Sequence, residues 1–72
     1  MDIKLVNYIE DGVEYEITDI NGTVYGIHDI LDKRGMIIDT IVIDMETLDE
    51  VEDSELFKKL VTLRSSYAAT VI

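Results

Sequence analysis

The chain has 72 residues, and its 16 acidic and 6 basic side chains give a formal net charge of −10 at pH 7. Such a charge repels nucleic acid and anionic membrane surfaces, so we expect direct binding to neither. Cysteine is absent, which excludes disulfides and thiolate metal sites. Hydrophobic residues make up 47% of the chain, too many for a disordered tail, but no apolar run approaches the roughly 20 residues of a membrane span. We therefore expect one folded domain over residues 1–72 of a soluble, cytoplasmic protein.

The first half of the chain is predicted to form three strands joined by two tight turns. Residues 3–9 are a short run of β-branched and aromatic side chains, and residues 13–20 alternate apolar with polar. Asp11-Gly12 separates these segments, and Asn21-Gly22 leads from the second into residues 23–31. Both dipeptides are typical of two-residue hairpin turns, which need positive φ. The pattern predicts an antiparallel sheet.

The second half adds a fourth strand and a helix. A turn at 32–35 precedes residues 36–44, which are apolar on both faces and suit a central or doubly covered strand. We expect the helix to run from about 54 to 67, capped by Asp53 or Ser54. The tail A-A-T-V-I is expected to fray or to add a short strand. The predicted fold is therefore α+β, an antiparallel sheet of about four strands with one C-terminal amphipathic helix packed on one face.

The predicted helix has one apolar side. At about 100° per residue, its stripe contains Leu56, Leu60, Leu63 and Tyr67, widened by Phe57 and Val61. We expect the three basic residues of the helix to lie on the opposite side: Lys58, Lys59 and Arg64.

Turn length predicts the strand register. A two-residue loop at 21–22 places Glu14 opposite Asp29, an unfavourable like-charge pair. The same count across the first turn places Lys4 opposite Asp19, a favourable pair.

Neither face of the sheet is predicted to be wholly polar. The register predicted from a two-residue turn at 11–12 places Ile3, Leu5 and Ile9 on the same face as Glu14 and Glu16. One helix covers only one face, so the remaining apolar residues need another cover, and a second copy of the chain is the simplest. We predict a homodimer that shelters an apolar set: Ile3, Leu5, Ile9, Ile20 and Ile27.

A calcium loop is the only metal site that the spacing suggests. With Asp44 at position one, Glu46 and Glu55 fit positions three and twelve. Position five is Leu48, however, and position six is Asp49 where the loop requires glycine. We predict no metal site.

No catalytic motif stands out. His28 is the only histidine, and no local signature joins it to Ser65 or Ser66 in a triad. Glycine-rich phosphate loops are absent as well. We predict a non-enzymatic protein without a cofactor.

Carboxylates concentrate in two stretches, E-D-G-V-E-Y-E from residue 10 and D-M-E-T-L-D-E-V-E-D-S-E from residue 44. Seven of the twelve residues in the second stretch are acidic, and none is basic. On a strand, Glu14 and Glu16 project from one face about 6.6 Å apart, and duplex DNA carries one charge about every 1.7 Å along its axis. A protein that recognises phosphates would bind such a surface. The predicted partner-binding residues are Glu10, Asp11, Glu14, Glu16, Asp19, Asp44, Glu46, Asp49, Glu50, Glu52, Asp53 and Glu55.

In size, charge and these two stretches, the chain resembles the small acidic phage proteins that block host DNA-binding proteins by imitating DNA. Within that family, its size and charge are most similar to those of inhibitors of the bacterial nucleoid protein HU. The resemblance implies a homodimer without a cofactor, a basic DNA-binding partner such as HU, and action in the host bacterial cytoplasm.

Two alternatives remain open at this point. The chain is an inhibitor of another basic target, such as RNA polymerase or a nuclease, or it is a small acidic structural or interaction module whose charge serves only solubility.

Overall fold

The computed structural model describes residues 2–71, and from residue 69 onward it describes the backbone alone. Within these residues the order of elements is β1 (Asp2–Ile9), β2 (Gly12–Thr18), β3 (Val24–Leu31), β4 (Ile37–Asp44) and α1 (Ser54–Val71). The strands pair antiparallel in the order β1-β2-β3-β4, and α1 packs on one face. The expectation of a central or doubly covered strand at 36–44 is wrong, because β4 is an edge strand with Ile37 and Ile38 exposed. The predicted α+β fold is confirmed, with every strand boundary within two residues of its expected position.

The helix begins where the sequence predicts and ends later. The Asp53 carboxylate accepts hydrogen bonds from the backbone N–H groups of Glu55 at 3.0 Å and Leu56 at 3.2 Å, which makes Asp53 the N-cap. The helix then continues to Val71, four residues beyond the expected end. Two successive alanines in the tail favour this extension, because alanine is the best helix former. Ile72, the last residue of the predicted frayed tail, lies outside the described residues.

The core lies between the sheet and α1. Its buried members are Tyr15, Ile17, Ile27 and Val42 from the sheet and Leu60 from the helix. The predicted helical stripe is confirmed, because its other members pack against this core: Leu56, Phe57, Val61, Leu63 and Tyr67.

The turn between β2 and β3 is longer than predicted. The Asp19 carboxylate accepts hydrogen bonds from the backbone N–H groups of Asn21 and Thr23, each at 2.9 Å. Gly22 has a φ of 85°, which glycine adopts without strain. Aspartate commonly organises a turn in this way. Five residues, from 19 to 23, therefore connect the paired ends of the strands.

This longer turn shifts the register by one residue, which moves every side chain of β3 to the other face. Glu14 lies opposite His28, and Asp29 lies opposite Val13 on the side that faces the helix. The predicted pairing of Glu14 with Asp29 is therefore wrong.

A β-bulge resets the register of β1. The bulge lies between Leu5 and Asn7, so Ile3 and Leu5 lie opposite Ile17 and Tyr15 and face the helix. The expectation that Ile3 and Leu5 share a face with Glu14 is wrong, because the extra residue of the bulge changes the alternation.

The first turn also differs from its prediction. Ile9 pairs with Gly12, so the turn consists of Glu10 and Asp11, and Lys4 lies opposite Glu16 rather than Asp19. Gly12 suits its place in β2, since a Cβ atom there would overlap the backbone carbonyl of Asp29. Ile9 does lie on the Glu14 face, as predicted.

A buried ion pair joins the sheet to the helix. Arg64 Nε lies 3.3 Å from Asp29 Oδ2, and the two side chains are 8% and 2% exposed. The Thr40 hydroxyl donates a 2.8 Å hydrogen bond to the other carboxylate oxygen of Asp29. The prediction that Arg64 lies on the solvent side of the helix is therefore wrong, and the buried carboxylate of Asp29 is the physical reason. Lys58 and Lys59 are exposed, as predicted.

We expect Arg64→Met to reduce the free energy of unfolding by about 3–5 kcal/mol, because removal of one partner leaves a buried charge uncompensated. Arg34→Met is the matched control, since Arg34 is 85% exposed beside Asp32 and such pairs contribute about 0–1 kcal/mol. Urea denaturation measures both values. Equal effects of the two substitutions would show that the buried pair does not hold the helix in place.

Burial raises the pKa of Tyr15 above its usual value, and the negative charge of Asp29 raises it further, against a smaller opposing effect of Arg64. The folded state thus favours the neutral phenol. We expect this contribution to stability to be complete below about pH 10, the ordinary tyrosine pKa, and to be lost as pH rises through the folded pKa. Denaturation midpoints measured across alkaline pH should fall less steeply in Tyr15→Phe than in the wild type. An unchanged slope would contradict this assignment.

Candidate functional site

The face of the sheet away from α1, here called the open face, has no covering element among the described residues. The strand register sets two rows of side chains across it. One row runs Lys4, Glu16, Gly26 and Ile43. The next runs Asn7, Glu14, His28 and Ile41. In each row, an acidic side chain on β2 and an apolar side chain on β4 lie on either side of a β3 residue.

A depression occurs in the open face at Gly26. Because glycine has no side chain, the row from Glu16 to Ile43 has a gap at this position. Met45 fills part of this gap, with its sulfur 2.8 Å from where a Cβ atom of residue 26 would stand. The depression has a volume of about 220 Å³. Its apolar wall consists of Val6, Ile41, Ile43 and Met45, and its polar lining side chains are Glu14, Glu16 and His28.

The two glutamates of the open face have no cationic partner in the fold. None of the ion pairs within residues 2–71 includes Glu14 or Glu16. Lys4 lies directly opposite Glu16 in the sheet, yet no N···O distance of 4.0 Å or less joins them. Two carboxylates on one strand face thus stand side by side without an ion-pair contact among the described residues, although Lys4 lies directly opposite Glu16.

His28 also lies on this face, between Glu14 and Ile41. Its Nε2 atom is buried and lies 3.6 Å from Asp11 Oδ1, too far for a hydrogen bond. Ser65, by contrast, is on the helix, which packs on the opposite face of the sheet, and its hydroxyl donates to the Val61 carbonyl. The fold therefore does not bring His28 and Ser65 together as a catalytic pair.

The acidic stretch from residue 44 is a folded segment that returns along β4. The Asp44 carboxylate accepts hydrogen bonds from the N–H groups of Glu46 at 2.8 Å and Thr47 at 3.4 Å, and Leu48 turns the chain with a φ of 63°. The segment then runs back, with Val51 N–H donating to the Val42 carbonyl at 2.9 Å. It covers the outer edge of β4 from residue 42 onward.

The predicted partner-binding residues do not form one continuous patch. Glu10 and Asp11 lie in the turn at one end of β2, whereas the stretch from residue 44 begins at the other end, where Tyr25 pairs with Asp44. Glu14 and Glu16 lie between these ends. Glu16 and Glu46 line the same shallow recess, so the fold places these two residues on one part of the surface.

Three of the predicted residues have a structural role. The carboxylates of Asp19, Asp44 and Asp53 accept backbone hydrogen bonds that form a turn, a second turn and the helix cap. The described hydrogen bonds do not engage the side chains of the others: Glu10, Asp11, Glu14, Glu16, Glu46, Asp49, Glu50, Glu52 and Glu55. Sequence reasoning missed the apolar wall beside Glu14 and Glu16, because the register that creates it depends on a side-chain hydrogen bond in a turn.

A second uncovered surface lies at the start of β4. Met36, Ile37 and Ile38, here called the apolar corner, are 62%, 47% and 64% exposed. The homodimer was predicted from a different set of residues. Of that set, Ile27 is buried in the core, Ile3 and Leu5 pack against it, and Ile20 is 89% exposed. Ile20 is thus uncovered, as predicted, whereas Ile3, Leu5 and Ile27 are not, and the apolar corner lies outside the predicted set.

Over the described residues, no three His, Asp or Glu side chains converge closely enough to hold a metal ion. No helix in this part of the chain is long and apolar enough to cross a bilayer. Comparisons with protein-family models, curated proteins and solved structures found no match to this chain.

Proposed function

We propose that this chain is a non-enzymatic inhibitor that binds a basic DNA-binding protein and blocks its access to DNA. The partner that we propose is a bacterial nucleoid protein of the HU type. The observation that carries this proposal is a pair of carboxylates, Glu14 and Glu16, that form no ion pair among the described residues and lie on a sheet face that no described element covers. A partner that neutralises phosphates would neutralise these groups instead.

The spacing of the carboxylates supports the proposal. Glu14 and Glu16 lie two residues apart on one strand, which separates them by about 6.6 Å. This is about twice the 3.4 Å axial rise between successive phosphates of one DNA strand. Glu46 borders the recess beside Glu16 and extends the line of charge toward the acidic stretch. A lysine- and arginine-lined groove would therefore meet two negative charges about as far apart as alternate phosphates are along the duplex axis.

The remaining acidic residues contribute at longer range. Asp19, Asp44 and Asp53 are engaged in local hydrogen bonds, but their charges still add to the field around the molecule. A net charge of −10 should steer a basic partner toward the chain and accelerate association at low salt. Because exposed charges are screened beyond about 8 Å at physiological ionic strength, affinity should fall as salt rises.

A second copy of the chain is the partner that we propose for the apolar corner. β4 is an edge strand, and the returning acidic stretch covers its outer edge only from residue 42 onward. The edge near Ile37 and Ile38 combines open strand backbone with exposed apolar side chains, a combination that favours pairing with another strand. Dimerisation here would leave the open face accessible.

We expect the wild-type chain to displace a labelled DNA duplex from purified HU, and a variant with Glu14, Glu16 and Glu46 changed to Gln to displace it poorly. The matched control changes Glu50, Glu52 and Glu55 to Gln, which alters the net charge equally at the other end of the acidic stretch. Each single substitution should have little effect, since an exposed ion pair contributes about 0–1 kcal/mol. Fluorescence anisotropy at low and physiological salt measures displacement.

Two outcomes would contradict this mechanism. If the wild type does not displace DNA from HU, the proposed partner is wrong, and RNA polymerase or a nuclease becomes the next target to test. If both triple variants lose displacement equally, the effect follows total charge, and the open face is not the binding surface.

We expect light scattering to give twice the chain mass at tens of micromolar protein. Ile38→Lys should return the mass to that of a single chain, because a lysine at a strand edge opposes pairing. Ile20→Lys is the control, since Ile20 is exposed in a turn outside the apolar corner. A single-chain mass for the wild type would contradict the homodimer.

A further inference from the structure

We propose that the depression at Gly26 binds one arginine or lysine side chain of the partner, as the anchor of the complex. The alkyl stem would lie against Ile41, Ile43 and Met45, and the cationic head would lie between Glu14 and Glu16. This inference rests on the proposed function in one respect only, namely that the open face binds a basic protein.

The size of the depression suits a side chain better than a metabolite. Its volume is about 220 Å³, whereas pockets for small-molecule ligands enclose about 300–1,000 Å³. It is also open to solvent on the exposed face of a sheet, so it would enclose a free ligand only in part and bind it weakly. A side chain delivered by a larger partner needs no such enclosure, because the rest of the interface excludes water around it.

The walls of the depression select for an apolar stem. Val6, Ile41, Ile43 and Met45 line one part of it, and the Met45 sulfur packs over Gly26, where a Cβ atom would stand. Any larger residue at position 26 would place its Cβ atom against the Met45 sulfur. Methionine is flexible and polarisable, so Met45 can adjust around an inserted chain.

The charges at the rim select for a cationic head. Glu14 and Glu16 border the apolar wall, and neither takes part in an ion pair within the described residues. Arginine and lysine combine a long alkyl stem with a terminal cation, and they commonly bury the stem while the head stays at the polar rim. Arginine suits the site best, because its planar guanidinium binds carboxylates with two hydrogen bonds.

A second copy of the chain is a poor occupant of the same depression. Two open faces packed together would bring Glu14 and Glu16 of both copies into one interface, between chains that each carry a net charge of −10. Like charges placed opposite each other oppose association. Charge complementarity therefore favours a basic partner over self-association at this face.

The experiment is an NMR titration of the whole chain with n-butylguanidinium, an arginine side chain without its backbone. We expect shifts of the Gly26 amide and of the Met45, Ile43 and Ile41 methyl groups. n-Butanol lacks the cation and free guanidinium lacks the stem, so each should bind at least about fivefold more weakly than n-butylguanidinium. n-Butylsulfonate, an anion with the same stem, should not bind.

Variants test the role of the two carboxylates. Glu14→Gln with Glu16→Gln should weaken binding of n-butylguanidinium about fivefold or more. Thr62→Lys with Ser66→Lys, at two exposed positions of the helix, changes the net charge equally and should leave binding unchanged. All four residues are outside the core, and the spectra report folding directly.

Three results would overturn the anchor. The first is equal binding of n-butanol and n-butylguanidinium, and the second is an equal loss of n-butylguanidinium binding in both double variants. The third is a change in the NMR signals around Gly26 when the protein alone is diluted, which would show that a second copy occupies the site. None of them depends on HU. If n-butylguanidinium does not bind while the wild type still displaces DNA from HU, the anchor is wrong and the proposed function stands. If n-butylguanidinium binds but the wild type does not displace DNA from HU, the anchor stands and the proposed partner is wrong.

Discussion

The buried pair of Asp29 and Arg64 is the interaction on which the rest of this structure depends. It places two opposite charges in the interior of a 72-residue domain that has little core to compensate for them. Thr40 binds the same carboxylate, so the pair connects β3, β4 and α1 at one point. Since the charges are desolvated, the helix is held to the face and register in which they meet. An apolar stripe alone would allow more sliding.

The fixed helix explains why the opposite face is available for binding. The chain has one sheet with two faces and, within its described residues, one helix to cover them. Because Arg64 pairs with Asp29, the helix packs on the face of the sheet where Asp29 lies. The described helix therefore leaves four side chains of the other face uncovered: Glu14, Glu16, Ile41 and Ile43. The same interaction that stabilises the core thus leaves a mixed acidic and apolar surface without an intramolecular partner.

The acidic residues have two physical roles. Asp19, Asp44 and Asp53 accept backbone hydrogen bonds, and each one starts a turn or a helix. The glutamates on the open face make no such bonds, and their mutual repulsion opposes folding. A basic partner would relieve this repulsion, so the charge that destabilises the isolated chain is a source of affinity in the complex that we propose.

Local sequence patterns were enough to predict the kind and order of the elements. Alternation in residues 13–17, the turn dipeptides and the stripe through Leu56, Leu60 and Leu63 act locally, over a few neighbouring residues, and they predicted four strands and one helix. Asp53 at the helix start is a local signal of the same kind. These features can be predicted from the sequence because each depends only on residues that are close in the chain.

Which side chains share a face of the sheet depends on tertiary contacts. A turn closed by the Asp19 carboxylate and a bulge after Leu5 each change the register by one residue, and one residue exchanges the two faces of a strand. Two-residue turns at both dipeptides were the simpler expectation, and they put Asp29 beside Glu14. The choice between turns is settled by burial of Asp29 against Arg64, which lies 35 positions later in the chain. No local pattern contains that contact, and so the open face and its depression at Gly26 could not be predicted from the sequence.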